Sequence, residues 1–382
     1  MKIAYFISNR STFPSSKNEI TASSTVVYNI IKHLSLKHEI TLYAAKGSTV
    51  PPHVKLIDLD ISPFSTDSNI SNTDWTTKAV LGMKQLYLGE LFGNADNYDL
   101  IHLHTEPVYL AMSYAHLIKT PILFTCHNAY HDAESSIFSF YDKKVYFSGL
   151  SKQQVSRIPF TKQPPVIYNG IEVEQFPFEK DSEGYFLFLG RLHKDKGIET
   201  FLDLVKSLPD KKFYIAGKGE TSVEESIRKM EKEVNNLTFF GMVPRATPQW
   251  FSLISKAKAL IAPIQWDEPF GLTFIEAMAC GTPVIAYSRG ASPEVIKDGV
   301  TGYLINQSSE YNVGTYRSGT YGIEGLVETI IHMTSLSNDD YKKLRYQAQT
   351  YAHDSFSTEK MASQYEELYK RIVSDNKGPN SL

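Results

Sequence analysis

The sequence is short of the residues that staple secreted domains and of those that grip nucleic acid. It has two cysteines, Cys126 and Cys280, far apart and each in an apolar context. Zinc takes about four N, S or O ligands, and this pair offers no Cys-x-x-Cys spacing. Reduced core thiols in a reducing compartment are expected. Positive charge is not in excess: 39 Lys and Arg stand against 42 Asp and Glu, a net charge of -3. No basic strip interleaves with the 23 Tyr and 21 Phe, so no nucleic-acid partner is expected. Long apolar runs are missing too, since none reaches the roughly 18–20 residues of a spanning helix. The opening run Ile3–Ile7 breaks at Ser8-Asn9-Arg10, short of the roughly 7–15 apolar residues of a secretory signal. The expectation is a soluble, cytoplasmic protein in which the sequons at Asn69, Asn236 and Asn306 carry no weight.

What is present is a repeated alternation of strand and helix. A chain of 382 residues exceeds what one core usually supports, so two domains are expected. Lys2–Ile7, Glu39–Ala45, Leu100–Leu103, Ile122–Thr125 and Val145–Phe147 read as buried parallel strands, with helical spacing between several of them, as at Ser24–His33. The series then restarts, with strands at Tyr185–Leu189, Lys212–Ala216, Thr238–Phe240, Ala259–Ala262, Val284–Tyr287 and Gly302–Ile305. The predicted fold class is α/β, with two Rossmann-like domains over 1–168 and 180–355. The Pro-rich Gln163-Pro-Pro165 and the run Glu172–Glu183 lie at the seam. Helical sequence closes the chain from Glu359 to Val373; a helix over about 357–375 is expected to pack back on the first domain. Ligands of open α/β sheets bind beyond the carboxyl ends of the strands, so the chemistry is sought there, in an expected interdomain cleft.

The densest chemical signal runs from Ala262 to Ala286 and contains Glu268-Pro-Phe-Gly-Leu-Thr-Phe-Ile-Glu276. A strand end, a loop with Gly271, a helix to about Cys280, then Gly281 and Pro283 make a strand–loop–helix–strand unit. The amides of Leu272 and Thr273 would be free donors at the helix's positive end, which suits a phosphate. Glu268 before the helix and Glu276 within it could face the two ends of a ligand lying across that terminus. The second signal is Gly190-Arg191-Leu-His193-Lys194-Asp-Lys196-Gly197, three cations among six positions after a buried strand. Arg191, through its planar fork, and Lys196, as a point charge, suit a diphosphate. His127 follows another strand and is expected to point to the same region. His102 and His104 alternate along a strand, so one of them is expected to face the core, with His104 nearer the site.

Together these segments resemble family 4 of the glycosyltransferases, retaining enzymes of the GT-B arrangement. The resemblance covers most of 185–306 and extends more weakly to Asp99–His104, Phe124–His127, Ile167–Ile171 and Ser292–Val295. It implies a nucleoside-diphosphate sugar (a UDP- or GDP-sugar such as UDP-glucose) as donor, and a hydroxyl acceptor that is a small molecule, lipid or glycan. By the resemblance, Arg191 and Lys196 bind the diphosphate beside Gly190. Glu268 holds sugar hydroxyls, the amides at Gly271, Leu272 and Thr273 touch phosphate or sugar, and Glu276 takes the ribose. The base lies near Met242 and Val243, and His127 lies at the sugar. No cofactor or metal is implied.

Some features point elsewhere. Gly217-Lys-Gly219-Glu-Thr-Ser222 mimics a dinucleotide fingerprint, but Ser222 stands where the third glycine belongs. Asp58-Leu-Asp60 ends a probable strand, its aspartates sharing one face with no further oxygen ligands, and reads as structural. The apolar stretch Trp75–Phe92 reads as core packing, with an acceptor-lining helix or a membrane contact as alternatives. The family's Gly-Gly pair after the first strand is replaced here by Thr21-Ala22, and Ser11–Ser24 contains no glycine. Other readings of the segments are a sugar-nucleotide epimerase or glycogen-synthase-like polymerase on the same scaffold, and a non-catalytic sugar-nucleotide-binding protein.

Overall fold

A computed structural model describes residues 1–15, 22–64, 74–104, 109–129 and 134–376. The chain divides into two compact units: Met1–Gly170 joined by the segment from Thr358 onward, and Ile171–Ser357. Residues 171–179 belong to the second unit, where Ile171 N donates to Phe356 O at 2.9 Å.

The first unit is built on six parallel strands: β1 (Lys2–Phe6), β2 (Glu39–Tyr43), β3 (Val54–Ile57), β4 (Leu100–Leu103), β5 (Ile122–Thr125) and β6 (Tyr146–Ser148). Their order is β3-β2-β1-β4-β5-β6. Ala4 faces Thr41 on one side and Ile101 on the other. The central strands are apolar along their length because both faces are covered. Helix Asp74–Gly93 lays Tyr87, Leu88, Leu91 and Phe92 into the core and leaves Leu86 outside. Core packing thus accounts for the large apolar residues of the helix's last two turns apart from Leu86, while Leu81 and Met83 before them are half-buried.

The helix Thr358–Asn376 packs on Ala22–Leu34 and supplies tyrosines to a buried polar network. Tyr369 Oη lies 2.8 Å from Tyr5 Oη and 2.6 Å from His102 Nδ1. His102 Nε2 lies 2.8 Å from Thr125 Oγ1, which also meets Ser148 Oγ and Tyr365 Oη. Closing these groups on one another removes the cost of burying them.

The second unit repeats the plan with β7 (Tyr185–Leu189), β8 (Lys212–Ala216), β9 (Leu237–Phe239), β10 (Ala259–Ala262), β11 (Val284–Tyr287) and β12 (Gly302–Ile305). Their order, β12-β11-β10-β7-β8-β9, is the first sheet's order read from the opposite edge, again all parallel. Helix Ile198–Ser207 shows why the crossovers stay in place. Ile198, Phe201, Leu204 and Val205 recur at helical spacing and are buried, while Glu199 and Lys206 face outward. Each such side chain contributes about 1.5–3 kcal/mol when buried. Helix Asn338–Ser355 packs on Leu272–Ala279. Its fully buried Arg345 donates to the carbonyls of Glu179, Ser255 and Ala257.

Two sequence expectations need correction. Asp58 and Asp60 do not share a strand face: β3 stops at Ile57, and Leu59 and Asp60 have φ of 49° and 57°, so a turn carries Asp60 to Lys46. His102 and His104 do not alternate between core and surface. Residues two apart on a strand share a face, and both are buried with ring centroids 3.9 Å apart. Among the described residues, no helix is long and apolar enough to cross a membrane.

Candidate functional site

In each sheet the chain leaves the two central strands in opposite directions, and crevices for ligands form at the carboxyl ends of such strands. In the second unit these are β7 and β10. After β7, Gly190 and Arg191 lead into a tight turn, Lys194–Lys196, capped by His193, whose Nδ1 accepts from Asp195 N at 3.3 Å. Gly197 follows at φ 78°, where a Cβ would lie 1.9 Å from Pro263 O. Only glycine allows the turn to press against the end of β10. Gln265 N donates to Asp195 O at 2.8 Å, so the two loops are joined through backbone.

That joining brings two of the predicted residues together. Lys196 Nζ donates to Glu268 Oε2, and Trp266 Nε1 donates to the same oxygen at 3.0 Å. The ammonium also sits 4.9 Å from the centre of the Trp266 ring. The Glu268 backbone is held from behind. Ala291 N donates to its carbonyl at 2.8 Å, and Gly290, at φ 58°, leaves no room for a Cβ, which would fall 2.3 Å from Glu268 N. The neighbouring Asp267 accepts from Arg289 Nε at 3.3 Å and Tyr311 Oη at 2.9 Å.

Gly271, at φ 90°, caps helix Leu272–Ala279, which is buried almost all round. The amides of Leu272 and Thr273 head it and have no carbonyl a turn behind them to bond. Glu276 lies on this helix, 2% exposed, and is not drawn to Lys196. Its partner is Arg245, from the loop after β9, whose guanidinium donates to Oε1. Burial pushes the Glu276 carboxyl up from its ordinary range, and Arg245 partly offsets this. The same loop carries Met242, half-buried, and Val243, buried. Arg191 is exposed and has no ion-pair partner among the described residues.

Gly217 and Gly219 have a packing role. A Cβ on Gly217 would lie 1.8 Å from Gly190 O, and one on Gly219 would lie 2.7 Å from Leu192 O. They let the end of β8 support the Arg191 loop, and Leu192 N donates to Lys218 O at 2.9 Å.

In the first unit, His127 follows β5, is partly exposed, and bonds through Nε2 to His104 Nδ1 at 2.8 Å. Burial holds its pKa down at about 4. Thr21 lies outside the described residues. Ala22 is the first residue of helix Ala22–Leu34.

Sequence reasoning missed Arg245, Trp266 and His104 as partners of predicted residues. A weak signal existed for Trp266, two positions before Glu268, and for Arg245, two positions after Val243. Neither follows from a spacing rule.

Two family models match in succession: "Glycosyltransferase Family 4" over residues 23–175 and "Glycosyl transferases group 1" over 171–313. An "Uncharacterized 41.2 kDa protein in cps region" of Klebsiella pneumoniae is 30% identical over 185 residues. The alignment covers 48% of this chain and 45% of that protein, so the chain spans less than half of that relative. A phosphatidyl-myo-inositol mannosyltransferase of Mycolicibacterium smegmatis is 27% identical, covering 70% of this chain and 72% of its own. The structure of Anabaena HepE, in complex with UDP and glucose, has a TM-score of 0.70 at 16% identity over 97% of this chain and all of its own. With the two family models matched in succession over residues 23–313, the chain belongs to the family 4, group 1 glycosyltransferases.

Proposed function

We propose that the chain is a retaining, metal-independent glycosyltransferase that moves a hexose from a nucleoside-diphosphate sugar to a hydroxyl acceptor in the cytoplasm. The observation that carries this reading is the meeting of Lys196 and Glu268 at the end of β10, beside a helix that begins with unbonded amides. A diphosphate would take over the Lys196 ammonium and the amides of Leu272 and Thr273, with Arg191 as a second cation. Glu268, released from Lys196, would accept from hydroxyls of the transferred sugar. Glu276, kept in place by Arg245, would accept from the ribose, with the base against the backbone near Met242 and Val243. His127 is assigned to the sugar.

Neither carboxylate is assigned acid/base work: Glu268 is given to the sugar hydroxyls, and Glu276 stays paired with Arg245. The leaving phosphate itself would take the proton of the acceptor hydroxyl, on the face from which it departs. The protein's part is to stabilise the charge that develops on the diphosphate. The relative that transfers mannose and the neighbour that holds UDP with glucose support a hexose donor.

A thermal-shift screen with UDP-, GDP-, ADP- and dTDP-sugars, followed by product analysis in EDTA, tests the reading. Arg191→Ala and Lys196→Ala should each lower kcat by roughly 10²–10³-fold. A change under about threefold in both, or activity that needs an added metal, would sink it.

A further inference from the structure

His104 is fixed directly behind His127. Its backbone N–H donates to Phe6 O at 2.9 Å, and its ring lies nearly parallel to Tyr5, 6.0 Å between centroids and 7° between planes. The residue is 4% exposed, and its Nε2 is buried with no hydrogen-bond partner. Its other nitrogen, Nδ1, is the one bonded to His127 Nε2. His127 is partly exposed, and no described protein group bonds its Nδ1.

Two neutral imidazoles joined by one N–H···N bond can be arranged in two ways. With its proton on Nε2, His104 would accept at Nδ1 and leave a buried N–H without any acceptor. With its proton on Nδ1, His104 donates to His127 and leaves only a lone pair unmatched. Buried N–H groups without acceptors are rarer than under-used acceptors, and each orphan costs about 1–3 kcal/mol. We infer that His104 donates from Nδ1 to His127 Nε2 and so holds His127 in the Nδ1–H form, presenting a hydrogen-bond donor, not a base, to an oxygen of the bound ligand. Burial keeps both rings neutral, since it holds each below the ordinary histidine range. His104 is thus a positioning residue that acts through His127. That the ligand oxygen belongs to a sugar rests on the proposed function; the tautomer does not.

Long-range proton–nitrogen NMR on the full chain, labelled with 15N-histidine at pH 7.5, reads the tautomer without substrate. His127 should show a protonated Nδ1 and a bare Nε2. His104→Asn sets an amide N–H near the place of Nδ1–H and should keep that pattern, with activity within about threefold. His104→Leu removes the donor, should mix the His127 tautomers, and should lower kcat by roughly tenfold with donor KM moved less than twofold. A His127 protonated on Nε2 in the wild type, or a tautomer unmoved by His104→Leu, would overturn the assignment. If the leucine variant fails to fold, the wild-type spectrum alone decides. Absence of glycosyl transfer would count against the proposed activity and leave the tautomer assignment standing.

Discussion

At the Glu276 carboxyl the surroundings and the partner pull in opposite directions. At 2% exposure its carboxyl is pushed up by desolvation, and the Arg245 guanidinium is what opposes that push. Removing Arg245 lets the carboxyl rise further, so Glu276 takes up its proton at a higher pH than in the wild type. For Arg245→Ala, donor Kd should weaken by about five- to tenfold, in line with losing a hydrogen bond to a charged group. The weakening should grow as pH falls, and more steeply than in the wild type. Calorimetric titration at three pH values checks this; Arg245 Cζ also lies 5.8 Å from the centre of the Trp250 ring, and a loss independent of pH would mean that its role is that packing alone.

At the scale of elements, loops from four strand ends, those of β7, β8, β10 and β11, are locked together by positions that tolerate no side chain. Gly290→Ala would thrust a methyl to 2.3 Å from Glu268 N and 2.4 Å from its carbonyl oxygen, at a φ of 58°. The loop after β10 must then move, and a shift of about 1 Å at a charged site can cost about 10²-fold in rate. Gly184→Ala is the control: its φ is 83°, yet a methyl there meets nothing within 4 Å. Both variants bear the backbone strain of about 1–2 kcal/mol, so thermal melting should fall in both, but kcat should collapse only in Gly290→Ala. These elements were legible where the chain repeats itself. Strands buried on both faces read as apolar runs, and Lys196 and Glu268 could be linked because each lies just past such a run. The Arg245–Glu276 pair and the Arg289–Asp267–Tyr311 contacts were not legible, because they join loops far apart in sequence through side chains that obey no period. The two histidines of β4 and its exit were misread by one step of the strand repeat, which hid the His104–His127 bond.

At the scale of the whole molecule, the two units should answer acid differently. Burial lowers the pKa of His102, His104 and His127, and of His38 as well, all in the first unit. A histidine whose folded pKa lies below 6.5 gives its full stability above pH 6.5 and loses it as pH falls toward the folded value. Glu366 adds a lower window: its bond to Lys370, then Lys37, holds it at about 2, so its contribution, present above about pH 4.5, fades as pH falls toward 2. In the second unit, burial lowers His332 but raises Glu276, and the raised acid works in the opposite sense. Hydrogen exchange followed unit by unit from pH 7 to pH 4.5 should therefore show the first unit loosening before the second; simultaneous loosening would contradict this. The units also differ in continuity. The second is one uninterrupted stretch, whereas the first needs the helix Thr358–Asn376, whose Tyr365 and Tyr369 close the polar network around His102 and Thr125. On a ribosome that helix emerges only after the whole of the second unit. The order of settling is thereby reversed relative to the order of sequence: the later half can settle while the earlier half still waits for the tyrosines that complete the partnering of His102 and Thr125.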